Sequence, residues 1–125
     1  MVGSVSAQRI DLLVAQVRQH LAAPLPTDPT ELVAGLARAA EVLSEALDEA
    51  MARAALDGAS LRSIAGRAGV APNSVPPRLA RSHALAEYAD AGKVSAEAVV
   101  VARADRARGM APLAFVPRRG RGADT

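Results

Sequence analysis

Alanine makes up 30 of the 125 residues of this chain, whereas only Tyr88 and Phe115 are aromatic. Alanine has the strongest intrinsic preference for the α-helix, while sheets are enriched in aromatic and β-branched residues. A chain of this length builds one modest hydrophobic core. The composition therefore predicts an all-α fold of closely packed helices, with a core made of Ala, Leu and Val.

The residue types that carry most enzyme and metal chemistry are scarce. Cysteine is absent, which excludes disulfides, thiolate chemistry and cysteine-based zinc sites. The two histidines, His20 and His83, lie 63 residues apart, and no carboxylate pair or nucleophile–base couple stands out. We therefore expect a protein that is not an enzyme, with no catalytic residue, no metal site and no cofactor.

The sequence contains no run of 18 apolar residues, and its N-terminus lacks the charged-then-apolar order of a signal peptide. From these two features we expect a cytoplasmic protein without membrane association.

Proline and glycine divide the N-terminal half into two helices. Apolar residues at helical spacing predict a first helix over 5–22, which ends before Pro24. Asp28 is a suitable N-cap for a second helix, with Pro29 at the first helical position and a glutamate that completes a capping box. This second helix is predicted to reach about Leu56, with a glycine as its stop signal.

One face of the second helix is apolar over nearly four heptads, with a spacing that alternates between three and four residues. The residues on this face are Leu32, Leu36, Leu43, Leu47, Met51 and Ala54, with Ala39, Ala40 and Ala50 between them. The acidic residues are expected on a solvated surface; they include Glu41, Glu45, Asp48 and Glu49. Two interpretations stay open, since the apolar face either packs on the first helix within one subunit or forms a dimer seam.

Three shorter helices are predicted in the second half of the chain. They cover 60–68, which ends at Gly69; about 75–91, which ends at Gly92; and 95–108, which is capped by Ser95. The complete pattern is about five helices in three regions. These are an N-terminal helical hairpin over 1–58 as the candidate dimerisation region, a helical region over 59–108, and a flexible basic tail over 109–125.

Charge is unevenly distributed along the chain. No acidic residue occurs in the 29 positions between Asp57 and Glu87, although the chain has 13 acidic residues. Four arginines fall inside this acid-free segment, namely Arg62, Arg67, Arg78 and Arg81. One interpretation is an ordinary solvated surface, and the other is a surface that faces phosphates.

The segment from Leu61 to Val75 resembles the helix-turn-helix of bacterial DNA-binding regulators. Ala65 is the small residue needed where the second helix crosses the first. Gly69, four positions later, tolerates the positive φ of the turn, and Val75 completes the shared core with apolar neighbours. The resemblance implies a helix-turn-helix DNA-binding core within 59–108.

The sequence departs from this family after Val75, because Arg78 stands where an apolar residue is usual and Leu79 follows it. Pro76 and Pro77 also fall where the second helix should be under way. Both departures are reconciled by a helix that starts late, with Ser74 as N-cap, because the first helical N–H groups have no partner within the helix. Val75 and Leu79 then share the buried face, together with Ser82 or His83 and Ala86.

The family docking places the start of the second helix in the major groove of double-stranded DNA. This implies base or backbone contacts from Asn73, Ser74, Arg78 and Arg81. Arg62 and Arg67, on the preceding helix, are assigned to backbone phosphates.

The segment 84–98 is similar to the region after the helix-turn-helix in ParB-type partition and KorB-type plasmid proteins. The nucleotide-binding boxes of those partition proteins are absent upstream, so nucleotide-dependent sliding is not implied. The tail resembles minor-groove hooks built on Arg-Gly-Arg, which makes Arg118, Arg119 and Arg121 candidate DNA contacts. The alternative is a disordered solubilising end.

The function expected from the sequence is a dimeric, sequence-specific transcription regulator, in the role of a repressor, without a small-molecule effector. Bound to DNA, it would be associated with the nucleoid. Two alternatives remain. One is a helical module that binds a partner protein through its acidic 28–57 helix, and the other is a non-specific architectural or partition DNA-binding protein.

Overall fold

The computed structural model describes residues 4–22 and 24–109. Within them the chain forms five α-helices and no β-strand, so the predicted all-α fold is confirmed. The helices are α1 (Ser4–His20), α2 (Pro29–Leu56), α3 (Leu61–Ala68), α4 (Val75–Arg81) and α5 (Ala96–Ala107). Single 3₁₀ turns occupy Pro72–Ser74 and Ala86–Tyr88. No helix in the described part of the chain has the length and apolar character needed to span a membrane.

The chain divides after Ala50 into two compact units. The first unit holds α1 and most of α2, and the second unit begins at Met51, within α2. The boundary follows from burial, because Met51, Ala52 and Ala55 belong to the hydrophobic core that α3, α4 and α5 complete. The sequence had placed the end of the N-terminal region at residue 58.

The start of α2 is set by Asp28, as predicted. Its carboxylate accepts a hydrogen bond from the Glu31 N–H at 3.0 Å and another from the Thr30 hydroxyl at 2.5 Å. The hydrogen bond from Thr30, followed by that from the Glu31 backbone, holds the pKa of Asp28 below its usual value. The cap therefore satisfies one of the N–H groups that a helix leaves without a partner.

The core of the first unit is small and built largely from Leu13, Val17, Ala39 and Ala46. An ion pair accompanies it, with Arg9 Nε and Glu49 Oε2 3.3 Å apart. The expectation that the acidic residues of α2 lie on a solvated surface is wrong for Asp48 and Glu49, because both side chains are buried. A buried carboxylate needs a charged or hydrogen-bonding partner, and Arg9 is such a partner for Glu49.

The apolar face predicted for α2 divides in the structure. Leu36, Leu43 and Leu47 are exposed, whereas Leu32 is partly buried. Met51 is buried in the core of the second unit. One helical stripe thus has two different environments along its length, because only its C-terminal end, from Met51, belongs to the core of the second unit.

In the second unit, α3 ends at Gly69 as expected from the sequence and begins one residue later than predicted, with Ser60 as its N-cap. The Ser60 hydroxyl accepts a hydrogen bond from the Ser63 N–H at 3.0 Å. Gly69 ends the helix with φ +73°, in the left-handed region that glycine adopts without strain. The Val70 N–H then reaches back to the Ala65 carbonyl at 3.1 Å, which closes the turn that leads to α4.

The predicted helix over 75–91 is too long, because α4 ends at Arg81. Ser82 adopts an extended conformation; its buried hydroxyl donates to the Leu79 carbonyl at 2.7 Å and accepts from the Leu85 N–H at 3.0 Å. This side chain offers the backbone an alternative to the next helical turn. The sequence placed the end of this helix ten residues later, at residue 91, because only the glycine at position 92 was used as a stop signal.

A tight turn leads from this region into α5. Ala91 and Gly92 have φ values of +54° and +77°, and the Asp90 N–H donates to the Lys93 carbonyl at 2.8 Å. Positive φ at both central residues is the geometry of a type I′ turn. The Ser95 hydroxyl then accepts from the Ala98 N–H at 3.0 Å, so the predicted cap of the last helix is confirmed.

Candidate nucleic-acid interface

The three positions that define the helix-turn-helix resemblance lie on a helix, at the turn after it and at the start of a second helix. Ala65 on α3 and Val75 on α4 are buried in the core of the second unit, and Gly69 provides the positive φ between the helices. Ile64 and Leu79 extend the same core. The chain therefore forms a helix, a turn and a second short helix over one small apolar core.

The two prolines are accommodated at the start of α4, as the sequence analysis predicted. Pro76 and Pro77 lie in the first turn, directly after Val75, and Ser74 occupies the N-cap position. The Ser74 hydroxyl makes no capping hydrogen bond, so its role as a cap is positional only. Among the candidates for the buried face after Leu79, Ser82 is buried, while His83 and Ala86 are exposed.

The prolines have a chemical consequence for this end of α4. The Ser74 N–H donates to the Ala71 carbonyl at 2.9 Å, and the Val75 N–H donates to the Pro72 carbonyl. Pro76 and Pro77 have no N–H. The backbone from 74 to 77 thus offers no free donor to a phosphate, and a ligand at this end would be bound by side chains.

The candidate residues occupy both helices and the segment between them. Arg62 and Arg67 are exposed on α3, Asn73 is exposed in the 3₁₀ turn, and Arg81 is exposed on α4. Ser74 and Arg78 are partly buried. Arg118, Arg119 and Arg121 lie outside the described residues. We use the term basic face for the solvent-accessible residues of α3, of the 3₁₀ turn Pro72–Ser74 and of α4, which include these six candidates.

Sequence reasoning missed two residues of the basic face. Ser63 and Gly66 are exposed on α3 beside Arg62 and Arg67. An alanine Cβ built at Gly66 would meet no atom within 4 Å, so the outer surface of α3 is open there. Helical spacing alone would have found both, because Arg62 and Gly66 are four residues apart, as are Ser63 and Arg67.

Ion pairing differs between the arginines of α3 and those at the end of the second unit. On and after α5, Arg106 pairs with Asp57 at 2.9 Å and Arg108 pairs with Asp105 at 2.5 Å. Within the described ranges, no ion pair joins Arg62 or Arg67 to a carboxylate. An arginine that is not paired with a carboxylate can use its guanidinium N–H groups to bind another anion. The planar arrangement of these N–H groups matches the oxygens of a phosphate.

The acid-free segment noted in the sequence contains all of α3, the turn and α4. Of the two acidic residues that bound it, Asp57 is already paired with Arg106. No residue of α3, the 3₁₀ turn or α4 is acidic, so the formal charges that these elements contribute are those of their arginines. Such a face attracts polyanions over a distance limited by salt screening.

The described residues contain no group of three or more His, Asp or Glu side chains that could hold a metal ion. A comparison of the chain with protein-family models, curated proteins and solved structures finds no match.

Proposed function

We propose that this protein is a sequence-specific DNA-binding transcription regulator that acts as a dimeric repressor through the helix-turn-helix of its second unit. The observation that carries the proposal is the basic face itself. Two helices that bury Ala65 and Val75 and turn at Gly69 carry arginines and no acidic residue, which supports a helix-turn-helix that faces phosphates. A solvated surface with no ligand has no need to exclude acids from 29 consecutive positions.

The geometry favours a division of labour between the two helices. Asn73, Arg78 and Arg81 belong to the turn and to α4, the element that enters the major groove in this class of protein. Arginine reads guanine through two hydrogen bonds, and asparagine does the same with adenine. Because the backbone at 74–77 offers no free donor, specificity rests on these side chains.

Arg62 and Arg67 lie on α3, at the side of the motif that meets the DNA backbone in this class of protein. Contacts of this kind set the position of the protein on DNA without reading sequence. Repression then follows from occupancy of a site that the polymerase needs.

The first experiment is selection of binding sites from a random duplex library with the purified chain, at two salt concentrations. We expect enrichment of one palindromic or repeated site, with binding that weakens steeply as salt rises. Failure to bind DNA at either salt concentration would overturn the proposal. Salt-sensitive binding without enrichment would instead identify a non-specific architectural protein.

Three variants assign roles once a site is known. Arg81→Ala should weaken binding to the selected site by roughly 5- to 100-fold and relax the preference at one position. Arg62→Ala should weaken binding to all sequences and lower the salt slope by about one. Arg38→Ala is the control, because this arginine is exposed on α2 and lies outside the basic face, so the affinity of the variant for DNA should equal that of the unmodified chain.

A second candidate function is supported by the first unit. Exposed leucines accompany the acidic residues of α2, which suits a module that binds a partner protein. Binding of that kind is dominated by apolar burial and should respond little to salt, in contrast to DNA binding.

A further inference from the structure

Exposed apolar side chains are concentrated in the first unit. Of the nine large hydrophobic side chains that are exposed in the described part of the chain, seven belong to this unit: Leu12, Leu21, Leu25, Val33, Leu36, Leu43 and Leu47. Scattered exposed leucines need no explanation, whereas a contiguous apolar patch marks an interaction surface. Four of the seven lie on α2.

These four form a regular row with two alanines. The row consists of Val33, Leu36, Ala40, Leu43, Leu47 and Ala50, with spacings of three and four residues in strict alternation. All six are exposed, and the large members keep 66%, 45%, 55% and 37% of their surface accessible, in chain order. We call these six residues the α2 row.

The α2 row is distinct from the face of α2 that is already covered. Ala39 and Ala46 are buried in the first unit and lie next to the row. The positions that flank the row are uncharged, namely Leu32, Ala37, Ala39, Ser44 and Ala46. The spacing of the row is that of the a and d positions of a coiled coil, in which a second helix covers the apolar seam.

We propose that a second copy of this chain covers the α2 row, with the two α2 helices antiparallel. The proposal rests on the dimer included in the proposed function and specifies its surface and orientation. In the antiparallel register, Leu36 faces Leu47 of the other copy, Ala40 faces Leu43, and Val33 faces Ala50. Every layer then contains at least one large side chain.

The parallel alternative packs less well. Each residue would face its own equivalent, so Ala40 would meet Ala40 and Ala50 would meet Ala50. These two layers would leave gaps beside the leucine layers, and interiors that lack contact atoms lose stability.

The distribution of charge along α2 also favours the antiparallel arrangement. Residues 29–40 carry Glu31 and Arg38 and are neutral in sum, whereas residues 41–50 carry Glu41 and Glu45 as exposed acidic side chains, besides the buried Asp48 and Glu49, and no basic one. A parallel pair would bring the two acidic halves together. An antiparallel pair places each acidic half beside the neutral half and the positive N-terminal end of the other helix.

The extent of the row sets the expected strength of the dimer. The row spans 18 residues, or about 26 Å of helix. A single helical seam of this length covers less than the ~800 Å² per partner of a standard stable interface. We therefore expect a dimer whose population depends on protein concentration, measured by sedimentation equilibrium.

Cysteine cross-linking tests the orientation, because the chain has no cysteine of its own. The antiparallel register predicts that the double variant Leu36→Cys/Leu47→Cys forms an intermolecular disulfide. The single variant Leu36→Cys should not, because its two sulfur-bearing residues would lie about 16 Å apart along the seam. Glu45→Cys, on the opposite side of α2, is the control for random oxidation. Efficient cross-linking of Leu36→Cys alone would overturn the antiparallel register.

Charge exchange provides an independent test. Leu36→Lys and Leu47→Glu should each raise the dimer dissociation constant by at least about tenfold, since each buries an unpaired charge. The double variant Leu36→Lys/Leu47→Glu should recover dimerisation, because lysine then faces glutamate in the antiparallel register and faces lysine in the parallel one. Circular dichroism checks that each variant stays helical.

The outcomes separate this inference from DNA binding. A chain that is monomeric at every concentration, or a double variant that stays monomeric while folded, would overturn the seam even if the chain binds a selected DNA site. A dimer with the antiparallel cross-link that binds no DNA would support the seam and overturn the proposed function.

Discussion

At the scale of single residues, the Tyr88 hydroxyl is a buried polar group of the second unit whose ionisation can be tested. It is buried and donates a hydrogen bond to Asp105 Oδ2 at 2.7 Å, while Asp105 Oδ1 accepts from Arg108. Burial is the largest cause that raises the pKa of Tyr88, and the hydrogen bond to the Asp105 carboxylate raises it further. Both effects favour the protonated phenol in the folded chain.

Tyr88 is the only tyrosine and the chain has no tryptophan, so its ionisation can be followed directly by ultraviolet absorbance. We expect the folded protein to titrate at a pH clearly above the ordinary tyrosine pKa of about 10, and the urea-unfolded chain to titrate near it. A folded-state titration near 10 would contradict the buried hydrogen bond.

The raised pKa of Tyr88 also determines how the stability of the folded protein depends on pH. Because the folded-state pKa lies above the unfolded one, the contribution of the phenol is fully present below pH ~10 and is lost as the pH rises beyond it. Tyr88→Phe should lack this alkaline loss.

At the scale of secondary-structure elements, the length of α4 depends on Ser82. Its hydroxyl bonds both the end of α4, at Leu79, and the following turn, at Leu85, in a fully buried position. The backbone adds a second restraint, because the Val94 N–H donates to the Pro76 carbonyl at 3.0 Å and holds the first turn of α4. The element that carries Arg78 and Arg81 is thus fixed at both ends.

Ser82→Ala should lower the free energy of unfolding by about 1–3 kcal/mol, because the buried Leu85 N–H loses its acceptor. Urea denaturation followed by circular dichroism measures the change. Ser63→Ala is the matched control, since Ser63 is exposed on α3 and its side chain should contribute within about 0.5 kcal/mol. Equal effects of the two substitutions would contradict the role of Ser82.

At the scale of the whole molecule, hydrogen bonds between residues far apart in sequence hold the second unit together. Arg103 on α5 donates from Nε to the Ala55 carbonyl at 2.8 Å and from Nη2 to the Ala59 carbonyl at 3.4 Å. These carbonyls lie at and just beyond the C-terminal end of α2, where the last carbonyl groups of a helix have no partner within it. Arg103 therefore joins the last helix to the segment that precedes α3.

Arg103→Met keeps most of the aliphatic side chain and removes both hydrogen bonds. We expect it to lower the free energy of unfolding by about 1–3 kcal/mol. Arg106→Met removes an exposed pair with Asp57 and should cost less than about 1 kcal/mol. The midpoints of urea unfolding of the two variants compare these losses in stability. A larger loss for Arg106→Met than for Arg103→Met would contradict the stabilising role of the Arg103 hydrogen bonds.

The sequence by itself determined the features that depend on neighbouring residues. The all-α class, the caps at Asp28 and Ser95, and the left-handed turn at Gly69 all follow from local backbone chemistry. The burial of Val75 and Leu79 and the late start of α4 were also predictable, because prolines restrict the same few dihedral angles wherever they occur.

Only the tertiary structure decided which side chains meet across long separations. The pairs Arg9–Glu49, Tyr88–Asp105 and Arg103–Ala55 span 40, 17 and 48 residues, and no local pattern encodes them. The end of α4 at Arg81 and the two environments of the α2 stripe have the same origin. Helical periodicity indicates that a face is apolar, but it does not identify the element that covers this face, because that depends on tertiary packing. The residues of the α2 row remain exposed to solvent.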